Sequence, residues 1–201
     1  ENSLQFIKNS IKKNNSELYL NIIHSIQFIN LLTNISNIDS IHNINLFLKK
    51  NKCYLPLGNS NSIIKISENF IIKDSNTKPI IITIFLENDI QKKFLLKKED
   101  VRIDYNVSKI IYLIKNILNK NKIKTNLLTY EILPINNNFG IIEIIEDSYS
   151  LYEINQTLHI SLQNFILNNN KNQTIDIIKN RFINSLAIYS IITYILGVGD
   201  R

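Results

Sequence analysis

The stretch ITYILGVGDR, residues 192–201, ends the sequence and carries its most specific pattern. An apolar run with helical character stops at Gly197, and the chain then presents Asp200 and Arg201. Glycine commonly ends helices because it adopts left-handed backbone conformations at little steric cost. Three of the four glycines lie at positions where we expect unusual backbone freedom: Gly140, Gly197 and Gly199. We therefore expect the functional part of the chain to lie near them.

The composition favours a globular domain and argues against several classes of function. Of the 201 residues, 44% are hydrophobic, which is enough for a buried core. The net charge of +6 is spread over Asn/Lys loops, and no basic motif with interleaved aromatic residues indicates nucleic acid as a partner. Cys53 is the only cysteine, so the sequence holds neither a disulfide framework nor a cysteine cluster for a metal. Apolar runs stay below about 18 residues, and we expect a soluble chain.

Hydrophobic periodicity predicts helices in the first, middle and last parts of the chain. Six segments have apolar residues at helical spacing, the third only weakly: residues 3–13, 16–33, 44–48, 104–119, 162–167 and 174–196. Ser16 followed by Glu17 predicts the start of the second helix. The last helix is so apolar that we expect most of its surface to be buried.

Short β-branched runs separated by polar turns predict strands between these helices. The predicted strands are residues 63–66, 69–73, 80–86, 93–97, 127–133 and 140–145, with a loop at 134–139. Residues 80–86 and 93–97 form the strongest candidate for a hairpin. Helices, then strands with one inserted helix, then helices, is the order of an α+β fold. We predict an antiparallel sheet, which a doubly wound parallel sheet would contradict.

Three segments together resemble a known family. GVGDR at 197–201 matches the start of the pattern Gly-x-Gly-Asp-Arg-His-x-x-Asn, and FLLKKEDVRID at 94–104 is similar to Phe-x-x-Lys-x-x-(Asp/Glu)-Asp-Leu-Arg-Gln-Asp. FGIIEIIE at 139–146 resembles a Gly-x-Ile-Glu-x-(Val/Ile) pattern. These are patterns of the catalytic domain of the phosphatidylinositol 3-/4-kinase superfamily. The resemblance covers residues 55–201 and is strongest to the class III phosphatidylinositol 3-kinase.

The resemblance implies a nucleotide-binding lysine and its acidic partner. Lys97 corresponds to the lysine that binds ATP, and Asp104, in the first turn of the next helix, corresponds to the acid that holds this lysine. The loop after Lys97 is one residue shorter than the family pattern, and Ile103 replaces the usual glutamine. Lys98 takes the place of Lys97 if the strand register shifts by one residue.

The resemblance also implies how the adenine ring is bound. Tyr130 corresponds to a strand tyrosine at the back of the nucleotide pocket, and Ile142 lines that pocket. The Glu143 carbonyl is expected to accept a hydrogen bond from the adenine amino group, and the Ile145 amide to donate one to the ring. These contacts use the backbone of a hinge strand that links two lobes.

Asp200 and Arg201 correspond to the start of the catalytic loop. The family's later histidine, asparagine and Asp-Phe-Gly do not follow in this sequence, so we expect a fragment of a longer kinase that is inactive alone. We assign no metal ligand within the chain. We expect residues 1–54 to form an N-terminal helical segment, 55–147 the kinase small lobe with the hinge, and 148–201 the start of the large lobe.

The resemblance implies that the full-length parent transfers phosphate from ATP, with Mg or Mn as cofactor, to the 3-hydroxyl of phosphatidylinositol in membranes. It further implies a cytoplasmic protein bound peripherally to endosomal or vacuolar membranes, with a regulatory scaffold subunit as another partner and no nucleic acid. The alternatives are a phosphatidylinositol 4-kinase, a related protein kinase, or a degenerate kinase fold that acts as a scaffold. The short loop after Lys97 and the residue Ile103 motivate the last alternative.

Overall fold

The chain forms two compact units in a computed structural model that describes residues 2–57, 61–123 and 125–199. The first unit comprises residues 1–105 and 131–144, and the second comprises 106–130 and 145–201. Each unit is therefore built from two separate stretches of the sequence.

The first unit contains an antiparallel sheet of six strands among the described residues. The strands are β1 (Ile63–Ile66), β2 (Ile71–Ile72), β3 (Ile80–Leu86), β4 (Gln91–Lys97), β5 (Ile132–Asn136) and β6 (Phe139–Glu143). Their order is β1-β3-β4-β6-β5, and β2 pairs with β3 beside this path. The predicted hairpin is β3 and β4, in which Ile82 pairs with Phe94. The antiparallel α+β prediction is confirmed.

One face of this sheet forms the core of the first unit. Along β3 the buried residues Ile80, Ile82, Ile84 and Leu86 alternate with half-buried ones, as expected for a strand with one face toward a core. Strands β4 and β6 add further buried side chains to the same cluster: Phe94, Leu96 and Ile141. The apolar period of two in the sequence therefore fixes which face is buried.

Three helices precede the sheet: α1 (Asn2–Asn14), α2 (Ser16–Thr33) and α3 (Ile38–Lys50). Helix α2 begins where predicted, but its cap is Asn15 instead of Ser16, because Asn15 Oδ1 accepts a 2.9 Å hydrogen bond from the Leu18 amide. Helix α3 is much longer than the predicted 44–48. A reciprocal cap between Asn37 and Ser40 begins it two turns earlier.

Side chains of α2 and α3 also bind the backbone of the chain that follows them. Asn45 accepts a 2.8 Å hydrogen bond from the Ile66 amide and donates a 2.9 Å one to the Ile66 carbonyl, so it serves β1 as a neighbouring strand would. Ser25 Oγ accepts a 2.9 Å hydrogen bond from the Tyr54 amide. With Phe28, Leu32 and Ile41 in the same core cluster, these bonds make the helices part of the first unit.

Helix α4 (Arg102–Lys120) follows β4 and extends from residues assigned to the first unit into residues assigned to the second. The second unit also contains a π-helical turn (Glu153–Thr157), α5 (Leu162–Asn169) and α6 (Ile175–Ile195). The expectation that α6 is mostly buried is wrong: among its residues only Ile178 and Ile192 are buried. The helix is apolar around its whole circumference, but only one narrow stripe packs inside the second unit. No helix of the described residues is both long and apolar enough to span a bilayer.

Two strand predictions near the end of the sheet need correction. Residues 125–131 are irregular, so the predicted strand at 127–133 is wrong over most of its length. The predicted loop at 134–139 is instead the end of β5, a two-residue turn and the start of β6. Pro134 lacks an amide hydrogen, but it lies in β5, which is the last strand of the sheet and therefore has no partner on one side.

Candidate active site

Lys97 lies at the end of β4 with two acids close to its ammonium group. Lys97 Nζ forms an ion pair with Glu99, and it lies 3.8 Å from Asp104 Oδ2. The predicted approach of Lys97 and Asp104 is confirmed. Glu99 is an additional partner that the sequence comparison with the family pattern did not predict. Two carboxylates thus hold one cation at a strand end, next to the first turn of α4.

The neighbouring lysine has a different environment. Lys98 follows the last residue of β4, and it is exposed next to a shallow polar depression that is lined by Thr33 and residues 136–139. Among the described residues Lys98 forms no ion pair. The geometry therefore favours Lys97 over Lys98 as the residue that could bind a phosphate.

A local ion pair shapes the short connection between Lys97 and Asp104. Asp100 Oδ1 accepts a 3.0 Å hydrogen bond from the Arg102 amide, and Arg102 Nη2 donates a 2.6 Å bond to Asp100 Oδ2. The hydrogen bonds from Arg102 lower the pKa of Asp100, and the same contacts raise the pKa of Arg102. Asp100 caps the start of α4 in this way. The helix then presents Asp104 toward Lys97, even though the connection is one residue shorter than the family pattern.

Strand β6 pairs with β4 and carries two of the predicted hinge residues. Lys97 pairs with Gly140, and Leu95 pairs with Ile142. Paired residues share a face of a sheet, so Ile142 lies on the same face as Lys97. The opposite face carries the core residues Phe94 and Leu96.

Glu143 ends β6 and binds both β4 and the residue before β5 through its side chain and backbone. Its carboxylate forms an ion pair with Lys92 at the start of β4 and accepts a 3.1 Å hydrogen bond from the Glu131 amide. The Glu143 amide donates a 2.8 Å bond to the Glu131 carbonyl. In a strand the amide and carbonyl of one residue point the same way, so the Glu143 carbonyl points to the β5 side. The Ile144 amide donates to the Lys93 carbonyl at 2.9 Å.

Ile145 belongs to the second unit, where its carbonyl accepts a 2.7 Å hydrogen bond from Ser148 Oγ. The Ile145 amide forms no hydrogen bond within the described residues. An amide without a partner is a donor that a ligand could use. The prediction that this amide binds the adenine ring stays a prediction.

Tyr130 does not lie on a strand, which corrects the sequence interpretation. It borders a cavity of about 230 Å³ inside the second unit, together with Ile145 and the α6 residue Ile192. Helix α4 supplies Val107 and Ile111 to the same wall. The structure thus brings Tyr130 and Ile145 to one mainly apolar cavity.

Side chains of the second unit satisfy the backbone of the irregular segment that carries Tyr130. The Leu128 amide donates to the Tyr189 hydroxyl at 3.1 Å, and this hydroxyl donates to the Leu128 carbonyl at 3.2 Å. Ser108 Oγ donates to the Tyr130 carbonyl at 3.0 Å. Sequence reasoning missed both residues, because a tyrosine and a serine on apolar helices carry no pattern that distinguishes them.

Helix α6 ends as the glycine pattern predicts. Gly197 has a φ of +60°, and its amide donates to the Tyr194 carbonyl at 3.2 Å. The Val198 amide donates to the Thr193 carbonyl at 2.9 Å, which completes a Schellman motif. Asp200 and Arg201, the predicted start of the catalytic loop, lie outside the described residues. Within residues 2–57, 61–123 and 125–199, no group of three histidine, cysteine, aspartate or glutamate residues is arranged to hold a metal ion.

The sequence matches one family model and several phosphatidylinositol 3-kinases. Residues 150–201 match the family model described as "Phosphatidylinositol 3- and 4-kinase". The nodule isoform of phosphatidylinositol 3-kinase from Glycine max is 34% identical over 140 residues, which are 67% of this chain and 17% of that protein. Phosphatidylinositol 3-kinase VPS34 from Candida glabrata is 30% identical over 162 residues, or 77% of this chain and 18% of that protein.

One further relative is a protein kinase by name. The DNA-dependent protein kinase catalytic subunit from Dictyostelium discoideum is 31% identical over 91 residues, which are 43% of this chain and 2% of that protein. The chain spans less than a fifth of the length of the two phosphatidylinositol 3-kinases. Together with the family model, these relatives place the chain in the phosphatidylinositol 3- and 4-kinase superfamily, with a class III-like resemblance.

Proposed function

We propose that this chain is the nucleotide-binding part of a phosphatidylinositol 3-kinase that transfers the γ-phosphoryl group of ATP to the 3-hydroxyl of phosphatidylinositol. The observation that carries the proposal is the placement of Lys97 between Glu99 and Asp104 at the end of β4. Kinases use a lysine on a strand, paired with an acidic residue, to orient the nucleotide phosphates. The names of the relatives support the lipid substrate.

Each unit separately contains residues that suit one part of a nucleotide. The Lys97 side chain is 27% exposed, so its ammonium is held by acids but still reachable from solvent. The cavity beside Tyr130 and Ile145 is mainly apolar, and its 230 Å³ is below the roughly 300 to 1,000 Å³ of a complete small-molecule site. The cavity is therefore smaller than a complete nucleotide site, and we propose that it takes the base alone. The Ile145 amide supplies a donor at this cavity.

The chain's own residues contribute binding and orientation. Lys97 donates hydrogen bonds to phosphate oxygens and offsets their charge, while Asp104 keeps the ammonium in place. The Glu143 carbonyl and the Ile145 amide provide the acceptor and the donor for the edge of the base. When bound, ATP would supply the phosphoryl group: the bond between the γ-phosphorus and the β-phosphate oxygen would break to leave ADP, a bond from the γ-phosphorus to the inositol oxygen would form, and the hydroxyl proton would be released to water. We also propose Mg²⁺ or Mn²⁺ as the cofactor, without assigning a ligand to it in this chain.

The test is a product analysis with the full-length gene product. We would incubate it with radiolabelled ATP and vesicles of phosphatidylinositol and phosphatidylserine, then separate the deacylated 3- and 4-phosphates by chromatography. The proposal expects the 3-phosphate. A 4-phosphate product would instead support a phosphatidylinositol 4-kinase.

Two alternatives to a phosphatidylinositol 3-kinase, a protein kinase and a degenerate scaffold, are each motivated by an observation. The match to the DNA-dependent protein kinase subunit keeps a protein kinase as an alternative, and labelling of protein substrates without lipid product would favour it. The short loop after Lys97 and the residue Ile103 motivate the alternative of a degenerate scaffold, which would form no phosphorylated product. Ile103 is 76% exposed, so its replacement of glutamine leaves the Lys97 to Asp104 distance within salt-bridge range. This supports the enzyme.

We further propose that the full-length protein is cytoplasmic, that it binds endosomal or vacuolar membranes peripherally, and that it associates with a regulatory scaffold subunit. The phosphatidylinositol 3-kinase relatives are named for a lipid substrate, and such a lipid would be reached at a membrane surface. Co-sedimentation with vesicles and imaging of a tagged protein would test the location. A protein that stays diffuse and does not sediment with phosphatidylinositol vesicles would contradict it.

A further inference from the structure

The segment 125–130 forms none of the strand pairings that its sequence predicts, and only Glu131 bonds to β6. Backbone N–H and C=O groups are strong hydrogen-bonding groups, and Leu128 and Tyr130 have side-chain partners although both residues are exposed. Here the Tyr189 hydroxyl bonds to both backbone groups of Leu128, and Ser108 Oγ bonds to the Tyr130 carbonyl. Side chains from two helices therefore replace the missing strand.

Tyr189 is suited to this double contact. A phenol hydroxyl donates one hydrogen bond and also accepts others, so one group can serve an amide and a carbonyl of the same residue. Thr193 Oγ1 donates a 2.8 Å hydrogen bond to the Tyr189 carbonyl one turn further along α6. A tyrosine has few rotatable bonds, so little conformational entropy is lost when it is held.

The contact lies next to the cavity assigned to the base. Tyr189 and Leu128 both border the 230 Å³ cavity, as do Tyr130 and Ile145. Leu127, the residue before Leu128, is buried. The position of the Tyr130 side chain therefore depends on a backbone held at Leu128 by Tyr189 and at its own carbonyl by Ser108.

We infer that Tyr189 is a positioning residue for the nucleotide: its hydroxyl holds the Leu128–Tyr130 backbone as one wall of the base-binding cavity. The inference rests on the proposed nucleotide site in this cavity. Tyr189 itself is not assigned a contact with the reacting groups.

The experiment compares Tyr189→Phe with Tyr194→Phe in the full-length gene product. Both changes remove one hydroxyl from α6, but Tyr194 is 88% exposed and forms no hydrogen bond through its side chain among the described residues. Hydrogen exchange of the Leu128 amide is measured by mass spectrometry, and the affinity for Mg²⁺ with a non-hydrolysable ATP analogue is measured by calorimetry. Thermal unfolding reports whether each variant is folded.

Tyr189→Phe is expected to speed exchange at Leu128 by about 2- to 12-fold, as loss of one hydrogen bond implies, and to weaken nucleotide binding by a similar factor. Tyr194→Phe is expected to change neither. Unchanged Leu128 exchange in Tyr189→Phe would overturn the inference, and so would faster exchange with unchanged nucleotide affinity. If Tyr189→Phe does not fold, Ser108→Ala provides the same comparison at the Tyr130 carbonyl.

The experiment distinguishes a failure of the proposed nucleotide site from a failure of the role of Tyr189. A wild-type protein that binds no ATP analogue contradicts the proposed function, and the nucleotide role of Tyr189 falls with it. Nucleotide binding that is equal in wild type and Tyr189→Phe contradicts the role of Tyr189 alone.

Discussion

Val101 packs directly against Gly140, so that a Cβ atom added at position 140 would lie 2.0 Å from Val101 Cγ2. Val101 is completely buried and precedes α4, while Gly140 lies in β6 opposite Lys97. The glycine is thus required by a close approach between the Lys97 to Asp104 connection and the hinge strand. Its φ is not in the left-handed region.

Gly140→Ala is therefore expected to destabilise the chain by about 1–3 kcal/mol, the usual cost of overpacking a core. Urea unfolding measures the change. Gly199→Ala is the matched control, since an added Cβ there meets no atom within 4 Å. In the double variant, Val101→Ala is expected to recover part of the loss. Equal stability of Gly140→Ala and wild type would show that Val101 moves aside at no cost.

The contact with Val101 gives a reason for Gly140 that differs from the one the sequence indicates. Glycine was expected to provide backbone freedom at all three positions, and Gly197 does so with a φ of +60°. At Gly140 the constraint comes from Val101, which is 39 positions away in the sequence. A contact between distant residues leaves no local pattern, so sequence reasoning could not distinguish the two cases.

The difference between a local pattern and a contact between distant residues also explains which strands the sequence predicts correctly. Strand β3 was predicted correctly because its alternating apolar residues bury one face against a core. Residues 127–130 are also mostly apolar or aromatic, but the backbone of Leu128 and Tyr130 bonds to Tyr189 and Ser108 instead of a strand. Hydrophobic period reports which residues are buried, and it does not report which partner satisfies the backbone.

Lys97 and Lys98 give a direct test of the lysine assignment. Lys97→Met removes the charge that we assign to phosphate binding, and a lost hydrogen bond to a charged group costs about 1.5–3 kcal/mol. We expect kcat/KM for ATP to fall by roughly 10- to 150-fold in the full-length gene product. Lys98→Met, on the exposed neighbour, is expected to change it little. A larger loss in Lys98→Met would move the assignment by one residue.

Glu143 and Lys92 are expected to stabilise the end of the hinge strand together. Their side chains are 20% and 32% exposed, so the ion pair is less screened than a surface pair. A double-mutant cycle with Glu143→Gln and Lys92→Met should give a coupling free energy of roughly 0.5–2 kcal/mol in urea unfolding. The pair Lys52 and Glu87, at 3.9 Å and about half exposed, is the control and should couple more weakly. Equal coupling in both pairs would contradict this view of the hinge.

Asn45 is expected to tie α3 to the sheet through its two hydrogen bonds to Ile66. Asn45→Ala leaves the Ile66 amide and carbonyl without these partners, and we expect a loss of about 1–3 kcal/mol in the free energy of unfolding. Asn51→Ala is a suitable control, because Asn51 Nδ2 donates only to the Phe47 carbonyl of its own helix. A smaller loss in Asn45→Ala than in Asn51→Ala would mean that the helix is held by apolar packing alone.

We expect ionisation of Cys53 to lower the stability of the chain at alkaline pH. The residue is fully buried, and burial raises the pKa of its thiol from 9.0 to about 11. Since the thiolate forms more easily in the unfolded chain, the contribution to stability is complete below pH 9 and is lost as the pH rises toward 11. The urea midpoint of wild type should therefore fall more between pH 8 and pH 10.5 than that of Cys53→Ala, in which lysine and tyrosine titration is unchanged. At pH 8 the native thiol should react slowly with a disulfide reagent and rapidly after unfolding. Identical pH dependence in the two proteins, or fast reaction of the native thiol, would show that Cys53 is reached by water.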